Sequence, residues 1–353
     1  MLEYLHSFGV KPGHIVAVQL PTSERFVALM QACIQIGAVF CPLSLRLPSV
    51  EPHLKILSPK LFISSTTTSY NVPPSSYSPS SFLVFTSGTT STPKLVSLTL
   101  DDFHASARYA IQLCNLQPND AWLLSLPLYH VGGLGIIFRC LLSGARIAFD
   151  PADPSITHLS YVPTQLYRAW PVYKNLKCIL LGGAPIHNIP QELPIIASYG
   201  MTETASIILG RKHPPKINGH YYLGHSDKMK LVDGEIWIKN FATKDLGFHD
   251  PVEGFAIVGR KDNQFISGGE NIQPEEIERA LTSHPDVLEA IVVPKNDPEF
   301  GQRPVAFVRT LGFVSFHFLQ TLLPKYKIPI AFYPLDETVF KPSRKQFFEY
   351  VNH

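Results

Sequence analysis

Residues 85–94 read Phe85-Thr-Ser-Gly-Thr-Thr-Ser-Thr-Pro-Lys94, a run of hydroxyl side chains and one glycine that ends in a proline and a lysine. The apolar run Phe82–Phe85 predicts a buried strand in front of it. Such a loop can direct several O–H and N–H donors toward one point, with the Lys94 ammonium beside them. The glycine spacing of a Walker loop is absent. The stretch therefore indicates either a phosphate-type anion site or a polar surface turn.

Composition narrows the class of protein. A chain of 353 residues with 45% hydrophobic and 16% charged content predicts a large core and two globular domains. The formal charge of +2, without a dense basic run, argues against a nucleic-acid partner and favours small molecules. The oligomeric state is left open, a homo-oligomer included.

Cysteine and hydropathy patterns predict a compartment. The five cysteines form no Cys-x-x-Cys pair and the fourteen histidines form no zinc spacing, which predicts reduced thiols in a cytoplasmic protein without a structural metal. The N-terminus lacks the pattern of a signal peptide, and Arg139 interrupts the longest apolar run. We therefore expect no membrane segment.

A strand–helix–strand unit is predicted near the N-terminus. Ile15–Val18 indicates a buried strand, and residues 23–36 keep apolar side chains at helical spacing until Gly37. Residues 38–41 indicate a second strand. This order predicts a parallel sheet with a helix on its face, and so an α/β fold.

Three further stretches carry candidate ligand groups. A strand from Trp122 to Pro127 is followed by His130 and a glycine-rich turn, although a lone histidine is more often a packing residue. Glycines after the strand Cys178–Leu181 would let a flat ring approach the backbone, or simply form a tight turn. In residues 199–204, Thr202 could donate to a phosphate and Glu203 could bind Mg²⁺ through oxygen.

The second half of the chain adds polar candidates and a small domain. Asp245 could accept both ribose hydroxyls and Arg260 could add a charged donor, or both could be surface charges. Pro274 begins a predicted helix. Strands are predicted at 287–293, 304–308 and 331–333, and a helix at 316–323. These elements predict an α+β domain.

Taken in order, these motifs resemble the adenylate-forming superfamily of acyl-CoA synthetases, adenylation domains and luciferases. Residues 199–204 and 258–278 carry the most specific part of the resemblance. It implies a large multi-layer α/β domain (1–260) and a small mobile α+β domain (261–353), with a hinge at Asp262. The chain departs from the family pattern where these residues replace glycines: Ser91, Leu95, Lys244 and Phe340.

The resemblance also implies roles for single residues. Catalysis is expected of Lys341, Thr202 and His130, with Lys345 as the alternative to Lys341, and Mg²⁺ binding of Glu203. Gly268 and Gly269 are expected to face CoA. The acid would contact His130, and we add Gln165 and Arg168 as a hypothesis. ATP or AMP is expected to contact Thr86, Ser87, Gly88, Thr89, Thr90, Lys94, Gly182, Gly183, Ala184, Pro185, Tyr199, Gly200, Met201, Thr202, Asp245 and Arg260.

The implied reaction is activation of a carboxylic acid by ATP, followed by transfer to a thiol. The finer pattern, including residues 126–135, 162–168 and 300–305, resembles short acid–CoA ligases whose substrate carries two carboxylates. Three alternatives stay open: a ligase for another acid, an enzyme that loads a carrier protein, and a non-catalytic relative of this fold.

Overall fold

The computed structural model describes residues 1–65, 68–69, 81–86, 94–168, 171–186, 189–335 and 344–352. Its contacts divide the chain into two compact units. Unit 1 comprises Met1–Val162, Pro171–Gly183 and Leu193–Lys212. Unit 2 comprises Pro163–Trp170, Ala184–Glu192 and His213–His353. The predicted domain boundary at residue 260 and the predicted hinge at Asp262 describe how the small domain moves, and both stay predictions.

Unit 1 alternates helices with short strands. Its helices are α1 (Leu2–Ser7), α2 (Glu24–Ile36), α3 (Glu51–Leu57), α4 (Leu100–Cys114) and α5 (Val131–Ser143). Its strands are β1 (Ile15–Val18), β2 (Val39–Pro42), β3 (Leu61–Ile63), β4 (Thr68–Ser69), β5 (Ser81–Thr86), β6 (Lys94–Thr99), β7 (Ala121–Leu123), β8 (Arg146–Ala148), β9 (His158–Tyr161), β10 (Cys178–Leu181), β11 (Ile195–Met201) and β12 (Ser206–Lys212).

The first sheet of unit 1 has the strand order β4-β3-β1-β2-β5-β6 and confirms the predicted strand–helix–strand unit. Strands β1 and β2 are parallel and joined by α2. The Ser23 hydroxyl caps the helix by accepting from the backbone N–H of Phe26, and Gly37 ends it with a φ of +76°. The core between sheet and helices is rich in aromatic rings, with Phe82 in edge contact with Phe103 at 4.8 Å.

The second sheet has the order β12-β11-β10-β9-β7-β8. Its neighbours β9, β10 and β11 are parallel, so the ends of these strands meet at one edge of the sheet. The predicted strand from Trp122 to Pro127 is shorter than expected, because β7 ends at Leu123. The predicted glycine-rich turn into a helix is partly confirmed: the helix is present as α5, but it begins at Val131, so the glycines lie inside it.

Unit 2 is built mainly from antiparallel strands and short helices. Its helices are α6 (Pro163–Arg168), α7 (Pro274–Thr282), α8 (Leu319–Leu322) and α9 (Arg344–Asn352). Its strands are β13 (Lys216–Ile217), β14 (His220–Tyr221), β15 (Met229–Val232), β16 (Glu235–Ile238), β17 (Phe241–Asp250), β18 (Gly254–Arg260), β19 (Phe265–Ser267), β20 (Glu270–Ile272), β21 (Val287–Asp297), β22 (Gly301–Thr310) and β23 (Phe332–Pro334).

Two sheets organise unit 2, the meander β15-β16-β17-β18 and the sheet β20-β19-β22-β21, on which β23 forms a parallel pair with β22. Helix α7 begins at Pro274 as predicted and buries Ile277 and Leu281. The predicted helix at 316–323 is divided into a 3₁₀ turn (Phe316–Phe318) and α8. Within the described residues, no helix is long and apolar enough to cross a bilayer.

Candidate active site

The last residue of the predicted phosphate loop lies against the Thr202–Thr204 turn. Strands β5 and β6 form a hairpin that pairs Thr86 with Lys94. The Lys94 ammonium donates to Glu203 Oε1 at 2.7 Å, although the two residues are 109 positions apart in the chain. Residues 87–93, which include Ser87, Gly88, Thr89 and Thr90, lie outside the described residues. The fold therefore joins two motifs that the sequence could only relate by resemblance.

The turn that carries Glu203 is held by a tight local structure. The backbone N–H of Met201 donates to the Thr204 hydroxyl at 3.0 Å. A Cβ on Gly200 would lie 1.7 Å from the carbonyl oxygen of Ser206, so only glycine fits there. Ser206 itself has a φ of +112°, a strained value for a residue with a side chain. This packing fixes Thr202 and Glu203, both half-buried, at the end of β11.

Two glycines, Gly182 and Gly183, follow β10, which pairs with β11, the strand that leads into this turn. A Cβ on Gly182 would lie 2.4 Å from the Ser198 hydroxyl of β11. Gly183 adopts a φ of +76°, which favours glycine, and it is exposed. Tyr199 lies on β11 itself, whereas Ala184 and Pro185 are exposed and belong to unit 2. Gly182, Gly183 and Tyr199 therefore share one edge of the sheet.

His130 stands at the N-terminus of α5. Its carbonyl accepts from the backbone N–H groups of Gly133 and Leu134, at 3.1 and 3.2 Å. The half-buried ring lies 4.4 Å from the Tyr129 ring, centroid to centroid. A Cβ on Gly133 would lie 2.3 Å from the Pro127 carbonyl oxygen, which explains a glycine in the first turn. His130 therefore lies after a tight turn at the start of α5, and not directly at the end of strand β7.

Arg139 is a functional candidate that sequence reasoning missed. It is 1% exposed, and its guanidinium lies 4.5 Å from the centre of the Trp122 ring. Its Nε donates to the Gly135 carbonyl at 2.9 Å, and Nη1 donates to the Ser160 hydroxyl at 3.4 Å. Burial lowers the pKa of Arg139, and no carboxylate pairs with it in the described part of the chain. The available signal was a lone charge within an apolar helix.

Asp245 and Arg260 face each other across β17 and β18 in unit 2. Arg260 Nη1 lies 3.2 Å from Asp245 Oδ1. The same guanidinium contacts Asp262 with Nε and Nη2, both at 3.0 Å. These hydrogen bonds to Asp262 raise the pKa of Arg260, and the guanidinium lowers the pKa of Asp262. The predicted ribose carboxylate and hinge aspartate are therefore linked through one arginine.

The remaining predicted residues are scattered over unit 2. Gly268 and Gly269 form the turn between β19 and β20, with φ values of +56° and +87°. Gln165 and Arg168 lie on α6. Lys341 falls outside the described residues, while Lys345 is an exposed residue of α9, 3.9 Å from Glu349.

Glu203 suits Mg²⁺ in its chemistry. A carboxylate oxygen is the hard ligand that this ion prefers, and the side chain keeps 29% exposure beside the loop expected to hold phosphates. No group of three or more candidate metal ligands occurs among the residues that the structure describes. The protein would therefore contribute few ligands, as is usual where phosphates and water complete the coordination of Mg²⁺.

The mixed sheets of unit 1, together with the motifs at their edge, are those of an adenylate-forming enzyme. Residues 3–54 and 50–238 match the family model described as AMP-binding enzyme. Residues 276–345 match that of the AMP-binding enzyme C-terminal domain. The chain belongs to the AMP-binding enzyme family, and the two-domain fold expected for it is confirmed.

Named relatives are similar over most of the chain. The 2-succinylbenzoate–CoA ligase of Haemophilus influenzae is 37% identical, with 76% of this chain and 70% of the relative covered. That of Bacillus cytotoxicus is 31% identical, with 97% and 89% covered.

Solved structures agree with these relatives. An E. coli MenE variant with bound OSB-AMS superposes with a TM-score of 0.83 at 28% identity, covering 99% of this chain and 90% of the other. The o-succinylbenzoate CoA synthetase from Bacillus subtilis, in complex with the acyl-adenylate intermediate OSB-AMP, has a TM-score of 0.72 at 26% identity, with 95% and 87% covered.

Proposed function

We propose that this chain is an ATP-dependent acid–CoA ligase that converts 2-succinylbenzoate to its CoA thioester, a step of menaquinone biosynthesis. The observation that carries the proposal is the 2.7 Å contact between Lys94 and Glu203, which joins the phosphate loop to the Thr202–Thr204 turn. The choice of 2-succinylbenzoate as the substrate rests on two relatives, 31% and 37% identical, that are both named 2-succinylbenzoate–CoA ligase.

The first half-reaction forms an acyl-adenylate. A carboxylate oxygen of the acid attacks the α-phosphorus of ATP, and the bond from that phosphorus to pyrophosphate breaks. Negative charge grows on the phosphoryl oxygens, and fixed donors stabilise it in a site that excludes water. We assign these donors to Lys341, Thr202 and the loop from Thr86 to Lys94. His130 would lie beside the reacting acid.

Glu203 would hold Mg²⁺, which supplies positive charge to the pyrophosphate leaving group. Lys94 contributes in two ways: its ammonium orients Glu203, and it adds a point charge near the phosphates. Adenine would pack on residues 182–185 and Tyr199, and the ribose on Asp245 and Arg260.

The second half-reaction transfers the acyl group to CoA. The thiol sulfur attacks the acyl carbonyl carbon, the bond to AMP breaks, and the thiol proton is released. Gly268 and Gly269 would leave room for the pantetheine arm, since a turn without side chains permits a close approach. Rotation of residues 261–353 about Asp262 would switch the enzyme from the first half-reaction to the second.

The second carboxylate of the diacid needs a fixed cation. Arg139 is favoured because its buried charge lacks a carboxylate partner among the described residues, so an incoming anion would offset its desolvation. Arg168 and Gln165 on α6 are the alternative.

The test is pyrophosphate release with ATP and Mg²⁺, comparing 2-succinylbenzoate with benzoate, a fatty acid and no acid, each with and without CoA. We expect release that depends on 2-succinylbenzoate, a thioester only when CoA is present, and loss of adenylation in Lys341→Ala. Lys345→Ala is the matched control and should stay active.

Other outcomes select the alternatives. Turnover of a different acid would retain the chemistry and reject the pathway. Adenylate that reacts with a carrier protein and not with free CoA would indicate a loading enzyme. Folded protein that binds ATP but releases no pyrophosphate with any acid would indicate a non-catalytic relative.

A further inference from the structure

Arg344, the first residue of α9, is held by two buried carboxylates of α7. Its Nη2 lies 2.8 Å from Glu278 Oε2 and 3.2 Å from Glu275 Oε1. Its Nη1 also donates to the Val292 carbonyl at 2.7 Å. Glu275 and Glu278 are each 2% exposed. The start of α9 is therefore fixed by directional hydrogen bonds that a flexible surface pair would lack.

Glu275 extends this contact to the turn of the predicted hinge. Its Oε1 accepts from Asn263 Nδ2 at 2.5 Å, and its other oxygen accepts from the Gln273 amide. Asn263 directly follows Asp262. A Cβ on Gly259 would lie 2.7 Å from Glu275 Oε2, so β18 passes close to the same carboxylate. One buried side chain thus touches α9, the Lys261–Asn263 turn and the strand that ends at Arg260.

This arrangement bears on the active lysine through the chain itself. Lys341 precedes Arg344 by three residues, which span at most about 10 Å when extended. Anchoring Arg344 therefore limits where Lys341 can reach. A buried ion pair adds little net stability compared with apolar packing, so geometric specificity is the better account of its presence.

We propose that Arg344, Glu275 and Asn263 are positioning residues for adenylation: they fix the origin of the lysine segment relative to the Arg260–Asp262 turn. The inference rests on the proposed function, in which Lys341 serves the first half-reaction. None of the three residues is assigned a contact with the substrates. Their effect should appear in the rate of adenylation and not in the binding of ATP.

The experiment measures both half-reactions separately in Arg344→Lys, which keeps the charge and loses the planar fork. Adenylation is followed by 2-succinylbenzoate-dependent exchange of pyrophosphate into ATP, and thioester formation starts from synthetic acyl-adenylate and CoA. We expect kcat for exchange to fall about 10- to 100-fold, as for a displaced catalytic group, with KM for ATP and the rate of thioester formation unchanged. Asn263→Ala should show a smaller loss of the same kind.

The matched control is Arg309→Lys, which alters another ion pair of unit 2. In that pair, Arg309 Nη2 lies 3.2 Å from Glu289 Oε2. This variant should keep the ratio of the adenylation rate to the thioester-formation rate at the wild-type value. We expect this even if its melting temperature falls as much as that of Arg344→Lys. Equal losses in both half-reactions, or the same ratio in both lysine variants, would overturn the positioning role. The wild-type arm decides the proposed function separately, and a wild type without exchange would overturn both.

Discussion

Arg139 of unit 1 is buried and Arg344 of unit 2 is half-buried, and the two guanidinium groups have opposite kinds of partner. Arg139 of unit 1 is 1% exposed and rests on the Trp122 ring, a carbonyl and a hydroxyl. The Arg344 side chain of unit 2 is 27% exposed and meets two carboxylates, Glu275 and Glu278. The less exposed of the two cations is thus the one without an anion among the described residues.

The difference is that Arg344 has carboxylate partners within the fold, whereas Arg139 has none among the described residues. Arg344 pairs with both carboxylates, so removing it leaves Glu275 and Glu278 without this ion-pair partner. The described partners of Arg139 are the Trp122 ring, the Gly135 carbonyl and the Ser160 hydroxyl, which offset part of its desolvation. A ligand carboxylate could supply the rest. Stability should therefore depend on Arg344, and recognition of the acid on Arg139.

The largest effect is expected for Arg344→Ala. Breaking a buried pair costs roughly 3–5 kcal/mol in the free energy of unfolding, because Glu275 and Glu278 stay buried without the cation that forms ion pairs with both. Chemical denaturation in urea measures it. Arg309→Ala should cost less, because its partner Glu289 is 23% exposed and so is not left as a fully buried charge. A loss below about 1 kcal/mol, the scale of a surface pair, would contradict the comparison.

The same variant should show a pH dependence of known sign. Burial raises the pKa of Glu278 above its ordinary value of 4.5. A carboxyl group whose folded-state pKa is raised contributes stability below its unfolded pKa and loses it as pH rises through the folded value. Without Arg344 this loss should grow, so Arg344→Ala should be more destabilised at pH 8 than at pH 5. An equal loss at both pH values would argue against buried charge as the cause.

A smaller change in stability, with a specific change in recognition, is expected for Arg139→Met. Methionine matches the apolar surroundings and strands no carboxylate, so the free energy of unfolding should change by about 1 kcal/mol or less. The KM for 2-succinylbenzoate should rise about 10- to 100-fold, the equivalent of a lost charged hydrogen bond, with KM for ATP unchanged. Steady-state pyrophosphate release measures both.

Arg168→Ala is the parallel variant for the alternative. If it raises the KM for the diacid while Arg139→Met does not, α6 supplies the cation, and the contrast between Arg139 and Arg344 loses its functional meaning.

Sequence patterns correctly predicted those helices and strands whose ends are determined by residues next to them in the chain. The helix between β1 and β2 was predictable because Ser23 and Gly37 mark its ends within the chain. Helix α9 was missed because its apolar contacts, such as Phe347 on Phe307 at 4.3 Å, are made with distant strands. A continuous helical pattern at 316–323 gives a 3₁₀ turn and a short helix, and the Phe316 ring of that turn stacks on Phe332 of β23 at 4.0 Å, a distant contact that the pattern does not contain.

The site was predictable as a set of motifs but not as an arrangement. The contact of Lys94 with Glu203 depends on the β5–β6 hairpin and on the bulge at Gly200, neither of which a spacing reveals. Arg139 gave only the signal of a charge in an apolar run. The partners of Arg344 lie on another helix, and the roles of Lys341 and Asp262 remain predictions from resemblance.

The smallest effect is expected at Lys244, an exposed cation whose backbone matters more than its charge. It replaces a family glycine yet keeps a φ of +64°, while its ammonium lies 4.0 Å from Asp262 Oδ2 at 63% exposure. Lys244→Gly should raise the free energy of unfolding by about 1 kcal/mol, because glycine adopts this conformation without strain. Lys244→Ala removes the same charge but keeps the Cβ, so it should give no gain in urea denaturation. Equal gains in both variants would place the effect in the charge, and the contrast between buried and exposed cations would then need revision.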